Sequence, residues 1–165
     1  MRIAVVVGNP KAKSRTLNAG LMAAHKLSGG EPDVVLDLAD FGSGLLEWGN
    51  KAVADAITQL QRSDVVVVAS PTYKATYTGL LKLFLDQIPA GGLKGIVGLP
   101  VMLGAGPTHA LAAELLLKPV LVELGAVCPI AGFYLMEKTY EDDPRFDEWA
   151  STTMQFLRDW RKAAP

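Results

Sequence analysis

Asp64-Val65-Val66-Val67-Val68-Ala69 lies near the middle of this chain, and its reading decides the fold. The run does not alternate apolar with polar residues, so neither face of the strand it predicts meets water. Strands buried on both faces belong to parallel sheets covered by helices. Working outward, similar runs rich in Val and Ile recur at 3–7, 33–38, 97–103 and 127–133. Between them, residues 16–27, 51–62, 79–88 and 109–124 carry apolar side chains at spacings of three and four, as do residues 146–163 at the end. Strand followed by helix, repeated with right-handed crossovers, predicts an α/β fold: one doubly wound parallel sheet with helices on both faces, spanning residues 1–165 as a single domain. A chain of this length buries enough surface for one core. Ligands of such sheets bind beyond the carboxyl ends of the strands, where the strand order reverses, so the loops after strands one, three and four are the ones to inspect.

Composition narrows the partners. With 16 basic and 17 acidic side chains the net charge is −1, which offers no broad field for nucleic acid or anionic lipid. The apolar N-terminal run is far shorter than the ~18 residues of a membrane span and lacks a small-residue cleavage site. Cys128 is the only cysteine, so no internal disulfide forms. The expectation is a cytoplasmic protein.

The first loop reads Gly8-Asn9-Pro10-Lys11-Ala12-Lys13-Ser14-Arg15-Thr16 and contains no acid. A helix N-terminus presents free N–H groups and a partial positive charge, so hydroxyls and an arginine there make a site for a phosphate dianion. Ser14 or Thr16 also suits a plain N-cap, and both readings stand. A Walker loop would need Gly at Lys13, and a Rossmann fingerprint would need further glycines after Gly8. The loop suits a mononucleotide phosphate.

The third loop reads Ser70-Pro71-Thr72-Tyr73-Lys74-Ala75-Thr76-Tyr77-Thr78-Gly79. Pro71 stiffens the turn, hydroxyls and amides there suit the polar edge of a heteroaromatic ring, and Tyr73 or Tyr77 either packs on its face or covers the helix end.

These two loops together resemble the two signatures of the NAD(P)H-dependent FMN reductases, the second continuing through Leu81-Lys82 and Leu85-Asp86. The likeness is strongest to the reductase component of two-component alkanesulfonate monooxygenases. It extends from Ile3 to about Leu124 and includes His109 and Leu117-Lys118-Pro119-Val120-Leu121. The resemblance implies a flavodoxin-like sheet of order 2-1-3-4-5, with FMN as cofactor and NADPH or NADH as reductant. It implies that Asn9, Ser14, Arg15 and Thr16 hold the FMN phosphate, although the family more often has Ser at the position of Asn9. Pro71, Thr72, Tyr73 and Lys74 would border the isoalloxazine. Gly104, Ala105 and Gly106 would line its pyrimidine side, where small residues let backbone approach a flat ring. His109 either contacts the ligand or serves as a cap.

Hydride passes directly from nicotinamide to flavin N5, so no protein acid, base or nucleophile is required. The sequence fits that: it has only His25, read as a surface residue, and His109, with no metal-ligand spacing. Cys128 reads as core and Asp37 as a loop residue. Reduced flavin would go to a monooxygenase or to another acceptor such as a quinone or azo dye. The alternative is a flavodoxin-type electron carrier, but such shuttles usually steer by a strongly acidic surface, which this chain lacks. A nucleotide-binding module without catalysis would not need the tyrosine loop.

The stretch 110–124 has only Glu114, Lys118 and Glu123 as charges and is apolar around most of its circumference, which predicts a homodimer or homotetramer through this helix. Pro119 inside it predicts a kink or π-type bulge between Leu115 and Pro119. Relatives carry an aromatic residue near this bulge where this chain has Leu115.

Overall fold

The computed structural model describes residues 1–163. Five parallel strands, β1 (Ile3–Val7), β2 (Val34–Asp37), β3 (Val65–Pro71), β4 (Val97–Gly104) and β5 (Phe133–Met136), form one sheet in the order β2-β1-β3-β4-β5. Ile3 pairs with Val65, Val65 with Val97, and Val101 with Phe133. The order reverses between β1 and β3, which puts their carboxyl ends at the switch point.

Apart from Val35 on the edge strand β2, both faces of the sheet are dry, as the valine run requires. Ala4, Val6, Val66, Val68, Met102 and Tyr134 point to one side. There they meet Val53, Ile57 and Leu60 of α2 (Lys51–Leu60) and Leu81, Phe84 and Leu85 of α3 (Gly79–Leu85). Ile3, Val5, Val7, Val67, Val101 and Leu135 point to the other, against Ala19, Ala23 and Leu27 of α1 (Arg15–Ser28) and Phe146, Trp149 and Leu157 of the C-terminal helix Arg145–Ala163. Phe133 stacks on Trp149 with ring centroids 5.2 Å apart and meets Phe146 edge-on at 5.0 Å, geometries that add to plain burial. Lys26 of α1 donates to Asp147 across this layer.

Two expectations are corrected. The last strand is not 127–133 but Phe133–Met136. Val127 makes only a single bridge to Val97, and the chain then leaves the sheet. Pro129 has no N–H to donate, and Gly132 is pressed against the backbone of Ala113 and Glu114, where a Cβ would come within 2.5 Å. The expected helix 109–124 is not continuous either. Pro107–His109 is a 3₁₀ turn, Ala113–Leu117 is a π-helix in which Lys118 N–H donates to Ala113 O, and α4 (Lys118–Glu123) follows. The widening starts two residues earlier than Leu115 and ends directly before the Lys118-Pro119 step, so it relieves the clash that proline makes with the preceding turn. Glu114 fixes it by accepting from Lys118 Nζ at 2.8 Å and from Gly132 N–H at 2.5 Å.

Among the described residues no helix is long and apolar enough to cross a membrane.

Candidate functional site

The loop after β1 is folded by its own side chains. Asn9 Oδ1 accepts from Lys11 N–H at 2.9 Å, and Asn9 Nδ2 donates to Thr16 Oγ1 at 2.9 Å. Lys13 adopts φ 52°, an unusual conformation for a non-glycine residue, and its N–H donates to Asp37 Oδ2 at 3.1 Å. Asp37 is therefore not a loose loop residue. It ends β2, is buried, and also accepts from Ala39 N–H, tying the neighbouring strand to the first loop.

Ser14 is the N-cap of α1, its Oγ accepting from Leu17 N–H at 3.2 Å. This does not compete with anion binding. A hydroxyl that accepts one hydrogen bond keeps its own proton to donate, and this holds for Thr16 as well. The first-turn amides of Arg15 and Thr16 precede any possible intrahelical acceptor, and the turn contains no acid. The arrangement is a set of donors around one point.

A web of hydrogen bonds joins this loop to the one after β3. Thr78 caps α3, accepting from Leu81 N–H at 3.1 Å while its hydroxyl donates to Gly8 O at 2.5 Å. Its own N–H donates to Ser70 Oγ at 3.1 Å. Gly8 packs so closely on Leu81 that a Cβ would lie 2.4 Å from that residue's Cβ. Tyr73 and Thr76 exchange backbone hydrogen bonds across Lys74 (φ 51°) and Ala75 (φ 71°), the arrangement of a type I′ hairpin turn. Tyr73 is half exposed, and Thr72 Oγ1 is buried with no hydrogen-bond partner.

The fourth loop is held from below. Tyr134 Oη donates to Gly106 O at 2.7 Å, and Glu137 N–H to Gly104 O at 3.0 Å. A Cβ on Gly104 would fall 1.8 Å from Tyr134 Oη. Glycine at 104 is thus demanded by the tyrosine beneath it, a reason different from the expected approach of a ring. At Gly106 a side chain would meet nothing within 4 Å.

Asn9, Ser14, Arg15, Thr16, Pro71 and Tyr73 come together around one cleft of about 270 Å³, with Lys11, Lys13, Asn18, Leu103 and Glu137 completing its wall. His109 is exposed and stands instead in an adjoining groove of about 400 Å³ with Ala75, Leu111 and Leu115. Thr72, Lys74, Gly104, Ala105 and Gly106 flank the cleft in sequence without lining it. A larger apolar groove of about 440 Å³ lies between α3 and α4, bounded by Leu85, Ile88, Val120 and Leu124. It lacks the convergent donors of the first cleft, and chemistry rather than volume selects the site.

Sequence reasoning missed Asp37, Ser70, Thr78 and Glu137. Glu137 is the notable one, because it brings a carboxylate to a cleft whose own loop contains none, 3.7 Å from Arg15 Nη2. Its position follows directly from the end of β5, which the apolar pattern placed several residues too early. Cys128 is half-buried and packs against the core, and burial pushes its thiol up to about 11, which keeps it protonated near neutral pH. Among the described residues no cluster of His, Cys, Asp or Glu could hold a metal ion.

The sequence model of the family described as NADPH-dependent FMN reductase matches residues 1–141. An FMN reductase (NADPH) of Escherichia coli strain K12 is 37% identical over 130 residues, covering 76% of this chain and 68% of the relative. An NADH-dependent FMN reductase, SfnF, of Pseudomonas putida is 30% identical over 150 residues, covering 86% and 80%. Among solved structures, the apo form of an NADH:FMN oxidoreductase (EMOB) superposes with a TM-score of 0.81 at 29% identity, covering 99% of this chain and 90% of that one.

Proposed function

Because the chain belongs to the NADPH-dependent FMN reductase family, we propose that the 270 Å³ cleft takes the phosphate of FMN and that the loops around its mouth orient the isoalloxazine for reduction by a nicotinamide. The observation that carries this reading is the convergence of Ser14, Thr16, Asn9 and the first amides of α1 with Pro71 and Tyr73 in one cleft at the switch point of the sheet. The chemistry that bound FMN supplies is acceptance of hydride at N5. Everything else falls to the protein.

Ser14 and Thr16 would donate hydrogen bonds to phosphate oxygens, and Arg15 would add a charge-assisted donor. Asn9 holds Thr16 Oγ1 in place and shapes the turn. Pro71, Thr72, Tyr73 and Lys74 would border the ring, Pro71 and Tyr73 from the wall of the cleft itself. Gly104, Ala105 and Gly106 would follow its pyrimidine side, with His109 in the separate groove it shares with Ala75. Tyr73, half exposed on the cleft wall, would shield one face of the ring from water, and the nicotinamide would need the other. No side chain needs to transfer a proton for hydride to move.

Residues 1–165 form one domain in this reading, and the lone cysteine suits the reducing cytoplasm. Leu111, just before the π-helix, Leu115 within it and Val122 of α4 are each more than half exposed, which supports association into a homodimer or homotetramer. Reduced flavin passes to a monooxygenase or another acceptor.

The test is direct. Purified protein with added FMN is expected to oxidise NADPH or NADH rapidly, with saturation in FMN. A protein that binds FMN but is reduced by neither nicotinamide would be an electron carrier instead.

A further inference from the structure

We infer that Glu137 limits the affinity of the cleft for the phosphate of FMN, keeping the flavin exchangeable. The inference rests on the phosphate assignment above and goes beyond it, since nothing in a phosphate site calls for a carboxylate. Glu137 is the first residue after β5, and its backbone N–H is fixed to Gly104 O at 3.0 Å, so the side chain is anchored at the cleft rather than trailing in solvent. It is one-third exposed, and its Oε2 lies 3.7 Å from Arg15 Nη2, while the arginine side chain is 60% exposed.

Charge counting shows what this does. Lys11, Lys13 and Arg15 bring three positive charges to the cleft wall and Glu137 one negative. A phosphate monoester near pH 7 carries about −1.5 to −2. With Glu137 ionised, the loaded cleft is close to neutral; without it, a full positive charge would remain to hold the anion. In the free protein the carboxylate also occupies Arg15, so an incoming phosphate must share or displace it. Once the phosphate is seated, the carboxylate on the wall of the same cleft is a like charge, the arrangement that weakens an anion site. Of the other acids nearby, Asp37 accepts from two backbone N–H groups and belongs to the scaffold, and Glu141 is engaged by the Tyr140 hydroxyl, which donates to its Oε1 at 2.9 Å.

A reductase that delivers reduced flavin to another protein must let it go, and a cleft built only from cations and hydroxyls would hold it. Glu137 is a positioning residue in this scheme, acting on the phosphate through Arg15 and through its own charge. It takes no part in hydride transfer.

The experiment titrates wild-type protein, Glu137→Gln and Glu137→Asp with FMN and, separately, with riboflavin, which lacks the phosphate. Binding is followed by flavin fluorescence at low salt, and FMN dissociation by stopped flow. Glu137→Gln is expected to lower the Kd for FMN roughly threefold to tenfold, with a matching fall in dissociation rate, for loss of one partly screened like charge. Its Kd for riboflavin should stay within about twofold, and Glu137→Asp, which keeps the charge, should track wild type with both flavins. An unchanged or raised Kd for FMN in Glu137→Gln overturns the inference, the raised value meaning that the carboxylate aligns Arg15 for the phosphate. A riboflavin Kd that moves as far as that of FMN overturns it too, because the effect would then be structural. If wild-type protein does not prefer FMN to riboflavin at all, the phosphate assignment itself fails, and that outcome is recognisable before any variant is compared.

Discussion

Ser14→Asp separates the two roles that this residue combines. As an N-cap, aspartate is at least as good as serine, so the hydrogen bond that Ser14 Oγ now accepts from Leu17 N–H is kept. As a phosphate ligand it is the reverse of serine: the donor proton is gone and a like charge stands in its place. Loss of one hydrogen bond to a charged group costs about 1.5–3 kcal/mol, or about tenfold to a hundredfold in Kd, before repulsion is added. Ser14→Ala is the companion variant, losing the cap as well, for about 1 kcal/mol or about 2–4 °C in Tm at this chain length. Thermal unfolding without flavin and FMN titration by fluorescence quenching read the two effects independently. Ser14→Asp is expected to keep the wild-type Tm within about 2 °C and to raise the Kd for FMN more than tenfold. An FMN affinity within threefold of wild type would refute the claim that this helix start holds the phosphate, whatever the Tm.

Tyr73→Ala should lower flavin affinity or turnover with little change in Tm, because this side chain is half exposed and the turn is closed by backbone atoms; a clear fall in Tm with normal turnover would make Tyr73 a packing residue. Gly132→Ala should lower Tm by several degrees or prevent folding, because its Cβ would lie 2.5 Å from the backbone of Ala113 and Glu114, where neither strand nor π-helix can yield without breaking the clamp. The Lys118 ammonium, helped by Gly132 N–H, holds the Glu114 carboxyl below its usual 4.5. A group depressed in this way stabilises the fold fully above pH ~4.5, and that contribution is lost as the pH falls through the lowered value. Glu114→Gln should therefore be less stable than wild type at pH 7, with the gap closing as the pH falls through the lowered value; unfolding curves whose separation ignores pH would show that the clamp is not electrostatic. For assembly, light scattering at micromolar concentration should report a dimer or tetramer, and Leu115→Glu should shift it toward monomer; a wild-type monomer would refute the interface.

The sheet was legible because burial on both faces leaves a pattern with no other explanation: the four valines at 65–68 cannot sit at a surface. β5 was displaced because apolarity reports burial rather than pairing. Val127, Cys128 and Ile130 sit inward or half inward without forming a ladder, while the N–H that Pro129 lacks and the squeeze at Gly132 act through contacts that a one-dimensional pattern does not contain. The π-helix was foreseeable from Pro119, but its start was not, since Glu114 and Gly132 set it from opposite sides of a loop. In the site, residue types gave the two loops that hold Ser14 and Tyr73. They could not give Asp37, which lies 24 residues from the amide it accepts from, nor Thr78, which lies 70 residues from the carbonyl it donates to. Those partners become neighbours only through the strand order.

The hairpin at Lys74 and Ala75 has a consequence for tolerance to mutation. Two side chains held at positive φ each cost about 1 kcal/mol that a glycine would not. Against a typical net stability of about 5–15 kcal/mol, that is a reserve left unused. Ala75→Gly would draw on it without touching Lys74 or the core. A variant so relaxed could absorb one further average destabilising substitution elsewhere, which makes this turn the natural first change in any directed evolution that aims to reshape the mouth of the cleft.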